Sequence, residues 1–199
     1  MRYRELGKSG LSVSEIGLGC EHLQNQDYDR IKPVIDAALA GGVNILDVFM
    51  SEPQVRTDIG RALEGRRKEV LLQGHIGSGW VDGQYERVRK LSDCKFFFED
   101  FMARLQTDYV DIGMIHFVDS EEDYASVFDT ELIDYCTKLK KDGVIRTLGM
   151  SSHNPVQALR AVKTGLIDVL MFSINAAYDS MPEETELEAL FAAENYQKS

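Results

Sequence analysis

The sequence predicts an α/β fold in which parallel strands alternate with helices. Short apolar runs of strand length recur along the chain, and stretches with apolar residues at helical spacing separate them. The run at 43–49 is almost wholly apolar, as expected of a strand covered on both faces. Parallel strands joined by helices all end on the same face. We therefore expect the polar residues that follow these runs to meet at one edge.

The elements follow one another in a regular order. Residues 1–13 are predicted to form a β-hairpin around Gly7 and Gly10. Six strands are predicted after it, at 14–20, 43–49, 70–74, 110–115, 147–150 and 169–174. Helices are predicted at 28–40, 54–63, 95–105 and 131–141, and after Asn154-Pro155.

Two segments have no predicted helix or strand. Residues 76–94 form a long glycine-rich loop that contains Trp80, and long loops in compact domains are often functional. Residues 176–199 are expected to be a loop or a mobile tail. The length of 199 residues suits a single domain over 1–199, with six βα units in 14–175. A closed (β/α)8 barrel needs eight such units, so the sequence predicts an incomplete barrel.

Composition narrows the classes of function. The net charge is -11, which argues against nucleic-acid binding. No apolar stretch approaches the roughly 20 residues of a membrane span, so no membrane partner is expected. The three cysteines are widely spaced and lack a C-x-x-C pair, which fits reduced thiols and a cytoplasmic location.

Several short segments occur in a specific order and spacing: YRELGKSGLSVS at 3–14, GVNILD at 42–47, IGRAL at 59–63, TDYVD at 107–111 and GVIRTLG at 143–149. Together they resemble the aldo-keto reductase family. MFSIN at 171–175 resembles a branch whose full-length members carry a C-terminal segment with two [4Fe–4S] clusters; that segment is absent from this sequence. The resemblance implies a TIM-type (β/α)8 barrel.

The resemblance also implies an activity, namely reduction of a carbonyl by NADPH or oxidation of an alcohol. Asp47 and His116 match the family's catalytic aspartate and histidine. Glu52 stands where a tyrosine is expected, and His75 where a lysine is expected. We expect changed or reduced activity, with Asp47 orienting His75, Glu52 relaying a proton and His116 orienting the carbonyl of a small-molecule substrate.

The cofactor positions are partly retained. Ser151 matches a residue that contacts the nicotinamide, Ser152 stands where asparagine is usual, and Asn175 is kept. Met171 stands where glutamine is expected. In this family the loops of strands seven and eight bind the NADP phosphates, and those strands are not predicted here.

Two other hypotheses remain open. The first is a non-catalytic scaffold or subunit, completed by another polypeptide at the exposed sheet edges. As protein partners, a second copy of the chain or a redox partner is expected. The second is a metal-dependent hydrolase that uses the histidines near one rim: His22, His75, His116 and His153. No metal site is predicted, because no H-x-H or H-E-x-x-H spacing occurs.

Overall fold

A computed structural model describes residues 1–174 of the chain. Its strands are β1 (Tyr3–Glu5), β2 (Ser12–Ser14), β3 (Leu18–Gly19), β4 (Ile45–Val48), β5 (Leu71–Ile76), β6 (Ser78–Val81), β7 (Gln84–Arg87), β8 (Val110–Ile115), β9 (Ile145–Ser152) and β10 (Val169–Phe172). Its helices are α1 (Tyr28–Ala40), α2 (Pro53–Ala62), α3 (Leu91–Arg104), α4 (Glu121–Phe128), α5 (Glu131–Lys141) and α6 (Pro155–Lys163).

Six of the strands form one parallel sheet in the order β10-β9-β8-β5-β4-β3. The register aligns their carboxyl ends: Gly19 is paired with Asp47, and Ile76 with Ile115. β1 and β2 form a separate antiparallel hairpin. The predicted α/β class, the six parallel strands and the N-terminal hairpin are confirmed.

Glycine lets one helix lie very close to the sheet. A Cβ at Gly74 would lie 2.6 Å from the ring of Phe101 in α3. Phe101 is fully buried and its ring stacks on that of Phe98. Because Gly74 directly precedes His75, this packing fixes the strand just before a candidate site residue.

The opposite end of the sheet is held by a buried carboxylate. Asp111 in β8 accepts a hydrogen bond from Leu72 N at 2.9 Å. It also accepts from Arg67 Nη2 at 3.0 Å and from Arg146 Nη1 at 2.7 Å. A buried charge with two cationic partners and a backbone donor meets the requirement that such groups be paired.

Two segments differ from the predictions. Residues 76–94 were expected to be an irregular loop, but they contain the antiparallel hairpin β6-β7. Its two-residue turn is Asp82-Gly83, with φ of 51° and 82°, as the type I′ turn of tight hairpins requires. Helix α4 was not predicted; it begins after Ser120, whose side chain forms a capping box with Asp123. Within residues 1–174, no helix is long and apolar enough to cross a membrane.

Candidate active site

Three of the predicted catalytic side chains lie in contact at the carboxyl ends of the strands. Asp47 is in β4, His75 is in β5, and His116 follows β8 directly. Nε2 of His75 lies 2.9 Å from Oδ1 of Asp47. Nδ1 of His75 lies 2.8 Å from Nδ1 of His116. The carboxylate of Asp47 also accepts a hydrogen bond from Gln73 Nε2 at 2.8 Å.

A tyrosine that the sequence analysis did not single out completes the cluster. The hydroxyl of Tyr85 lies 2.6 Å from Nε2 of His116. Tyr85 is in β7, opposite Trp80, and its ring meets Phe49 edge to face. The Asp82-Gly83 pair between the two short runs is the sequence signal that could have revealed this hairpin.

The hydrogen bonds fix where the protons lie when both histidines are neutral. The Asp47 carboxylate can only accept, so Nε2 of His75 carries hydrogen. Nδ1 of His75 must then accept, which requires hydrogen on Nδ1 of His116. Nε2 of His116 consequently accepts from the hydroxyl of Tyr85. Every donor in this network is directed toward Asp47.

Burial controls the ionisation of these groups. Burial raises the pKa of Asp47, but the hydrogen bonds from His75 and Gln73 and the charge of His75 together bring it below its usual value. Burial, assisted by the charges of His75 and the nearby arginines, holds the pKa of His116 well below its usual value. Partial burial also raises the pKa of Tyr85, which is 41% exposed, against the opposing effect of Arg87 and Arg89.

The position of His116 is held by its backbone. Phe117 has φ of 53°, a left-handed conformation that is strained for a bulky residue. Nη2 of Arg89 donates to the carbonyl of His116 at 2.8 Å and to that of Phe117 at 2.6 Å. The amide of Phe117 donates to Oγ of Ser151 at 2.9 Å. An ion pair at 3.5 Å joins Arg89 to Asp123.

A cavity of about 530 Å³ opens beside this cluster. This volume is within the usual range of about 300–1,000 Å³ for small-molecule pockets. Its walls are mostly apolar and aromatic, with polar groups from several strand ends; they include Gly19, Asp47, Phe49, His75, His116, Phe117, Ser151, Ser152, His153, Met171 and Phe172. The two serines predicted to contact the cofactor are thus on the cavity wall.

The other predicted residues lie apart from the cluster. Glu52 is the residue before α2, and Oε2 of its carboxylate lies 3.4 Å from the backbone nitrogen of Asn25. Within residues 1–174, Glu52 has no hydrogen bond to the cluster, and it is not among the residues that line the cavity. Asn175 lies outside the described residues.

Within residues 1–174, the histidines are not grouped as a metal site. Nδ1 of His153 lies 3.0 Å from Asp119, and His22 is exposed in a 3-10 turn. In the described part of the chain, no three His, Cys, Asp or Glu side chains are grouped as metal ligands. The hypothesis of a metal-dependent hydrolase therefore has no ligand set within these residues.

Comparison with known proteins decides the family. A model described as the aldo/keto reductase family matches residues 15–196. The chain belongs to the aldo/keto reductase family. It is similar to the uncharacterized oxidoreductase YqkF of Bacillus subtilis (strain 168), with 32% identity over 188 residues that cover 92% of this chain and 59% of YqkF.

Two further relatives agree with this assignment. L-galactose dehydrogenase of Arabidopsis thaliana is 30% identical over 185 residues, or 84% of this chain and 54% of that protein. The structure of the aldo-keto reductase AKR11C1 from Bacillus halodurans (holo form) matches with a TM-score of 0.75 and 30% identity, over 87% of this chain and 58% of the other.

The family prediction is confirmed. The six-stranded parallel sheet described above corresponds to part of the family's (β/α)8 barrel. The chain spans less than two thirds of the length of the three relatives.

Proposed function

We propose that this chain forms the substrate site of an NADPH-linked oxidoreductase that reduces a carbonyl or oxidises the corresponding alcohol. One observation carries the proposal. Asp47, His75 and His116 form a hydrogen-bonded series at the carboxyl ends of the strands, beside a cavity of about 530 Å³. In (β/α)8 barrels, reactions take place on this face.

The cavity fits the nicotinamide end of the cofactor. Phe49, Met171 and Phe172 give it apolar walls suited to a flat ring, and Ser151 adds a hydroxyl at the same wall. We propose that Ser151 and Ser152 contact the carboxamide, with Asn175 as a third contact. When bound, the nicotinamide would supply the hydride or accept it.

The protein's own residues would orient the carbonyl and supply the proton. We propose that His116 orients the carbonyl oxygen, because it lines the cavity and Arg89 holds its backbone. Both of its ring nitrogens are already bonded, so it would do so through the Tyr85 hydroxyl at its Nε2. Asp47 would orient His75, to which it is bonded at 2.9 Å. Glu52 and His75 stand at the family's tyrosine and lysine positions, so we propose an activity altered from the family's usual one.

The substrate would be a small molecule, as the cavity volume allows. We also propose a cytoplasmic location, because the three cysteines are free and buried, as in proteins from reducing compartments.

The experiment is a measurement of NADPH oxidation over a panel of aldehydes and ketones, with wild type, His116→Ala and His22→Ala. His22 is an exposed histidine outside the cluster and serves as the matched control. We expect His116→Ala to lower kcat/KM by about 10²-fold or more, the usual cost of removing a group that takes part in proton transfer. Equal rates for wild type and His116→Ala on every carbonyl would refute the role of His116.

A further inference from the structure

We propose that Tyr85 is the proton donor of this site, and that a proton on His75 turns the Tyr85 hydroxyl from a donor to His116 into a donor to a substrate oxygen. This inference rests on the proposed function. It assigns the missing tyrosine role to a residue on a different element, the β6-β7 hairpin.

Position is the first argument. At the family's tyrosine position the chain has Glu52, whose carboxylate lies near the backbone amide of Asn25 and, within residues 1–174, has no hydrogen bond to the cluster. The hydroxyl of Tyr85 lies 2.6 Å from Nε2 of His116, a residue that lines the cavity. The hairpin is seated against the site, since Oγ of Ser78 donates to the carbonyl of Phe49 at 2.5 Å.

The second argument is that the network has two proton arrangements. With both histidines neutral, the Tyr85 hydrogen is held by Nε2 of His116. With one added proton, His75 donates from both nitrogens, to Asp47 and to Nδ1 of His116. His116 then carries its hydrogen on Nε2 and donates it to the oxygen of Tyr85. In this second arrangement the hydroxyl hydrogen of Tyr85 is free to bond a substrate oxygen.

The charges around the network favour placing the extra proton on His75. Oδ1 of Asp47 lies 2.9 Å from Nε2 of His75, so the carboxylate attracts a positive charge on that ring. Arg89, Arg87 and His153 oppose a positive charge on His116. The same two arginines stabilise negative charge on the oxygen of Tyr85. Cys20, the other titratable group close to Asp47, is buried and remains a neutral thiol, with its pKa raised to about 12.

The step balances as follows. The carbonyl carbon receives the hydride while its oxygen takes the hydroxyl proton of Tyr85, which forms the alcohol. The Tyr85 oxygen takes the Nε2 proton of His116, and Nδ1 of His116 takes the Nδ1 proton of His75. His75 is left neutral and still bonded to Asp47, and solvent restores its proton. Alcohol oxidation follows the reverse order.

The kinetic test compares Tyr85→Phe, Glu52→Gln and, as a matched control, Tyr3→Phe. Tyr3 donates its hydroxyl to the carbonyl of Gly42, near the N-terminal hairpin and remote from the cluster. We expect Tyr85→Phe to lower kcat by about 10²–10⁴-fold, as for a lost general acid, with KM little changed. Loss of activity in Glu52→Gln, with full activity in Tyr85→Phe, would overturn the proposal while leaving the proposed function intact.

A spectroscopic test needs no cofactor. The ζ-carbon of Tyr85 is followed by ¹³C NMR between pH 5 and 9 in the 199-residue chain, with Tyr85→Phe used for assignment. As the pH is lowered, we expect its shift to change when the network takes up a proton, and not to change in His75→Gln. A flat Tyr85 signal in wild type would overturn the proposal. If wild type shows the change in the Tyr85 signal but no aldehyde or ketone of the panel supports NADPH oxidation, the proposed function fails and the proton network stands.

Discussion

Arg89 gives the sharpest test of how the site is held together. Its guanidinium donates to two consecutive carbonyls, those of His116 and Phe117, and pairs with Asp123. Its side chain is only 17% exposed. We consider Arg89→Met, which keeps much of the apolar stem and removes the donors.

The magnitude can be worked from these contacts. Two hydrogen bonds from a charged donor contribute about 1.5–3 kcal/mol each. Loss of the bonds also lets Phe117 relax from its φ of 53°, which returns about 1–3 kcal/mol. Within the described residues, Nε of Arg89 is buried without a hydrogen-bond partner, so its removal offsets a further part. We expect a net loss of about 1–3 kcal/mol in the free energy of unfolding.

The assay is urea denaturation at pH 7, with Arg87→Met as the matched control. Arg87 also pairs with Asp123, at 3.0 Å, but its side chain is 42% exposed and its only hydrogen bond to this backbone within residues 1–174 is a long one, from Nη1 to the carbonyl of Phe117 at 3.5 Å. We expect the control to lose less than about 1 kcal/mol, as for a surface ion pair. Equal losses in the two variants, with unchanged denaturant slopes, would refute the idea that Arg89 is what holds the His116–Phe117 backbone.

Three further predictions concern stability. Asp111→Ala should lower the free energy of unfolding, measured in urea, by about 3–5 kcal/mol, because it leaves Arg67 and Arg146 without their shared carboxylate. The control is Asp168→Ala, which removes a partly exposed ion pair with Lys140, and a smaller loss in Asp111→Ala than in this control would contradict the prediction. Because the pKa of buried His116 is depressed, the unfolded chain binds a proton that the folded chain does not, and stability should fall by up to about 1.4 kcal/mol per pH unit below about pH 6.5. His116→Asn should show a shallower fall in urea titrations between pH 7 and 5, and an identical slope would count against a neutral His116. Gly83→Val should speed amide exchange in β6 and β7 selectively, because φ of 82° is strained for a β-branched residue; uniform exchange rates would argue against the tight turn.

The strand ends were predictable from sequence because their signals are local. Apolar runs mark the strands, and the parallel direction brings Asp47, His75 and His116 to one edge whatever the details of packing. The same holds for α6, where Asn154 caps the helix by accepting from Val156 N and Gln157 N.

The remaining parts of the site depend on tertiary contacts that no local pattern contains. The spacing from Asp47 leads to Glu52, but Glu52 immediately precedes Pro53 at the start of α2, and its carboxylate lies near Asn25. Tyr85 reaches His116 only because the hairpin at 78–87 folds over the end of β8, a contact that joins residues 31 positions apart. The Asp82-Gly83 turn predicts the hairpin, but not where it docks.

Long-range ¹H–¹⁵N correlation of the histidine side chains tests the central claim most directly, because it reports which ring nitrogen carries each hydrogen. When Nδ1 of His75 carries no hydrogen, so that this ring is neutral, we predict hydrogen on Nε2 of His75 and on Nδ1 of His116. Hydrogen on Nε2 of His116 while Nδ1 of His75 carries none would contradict the directional network from Tyr85 to Asp47.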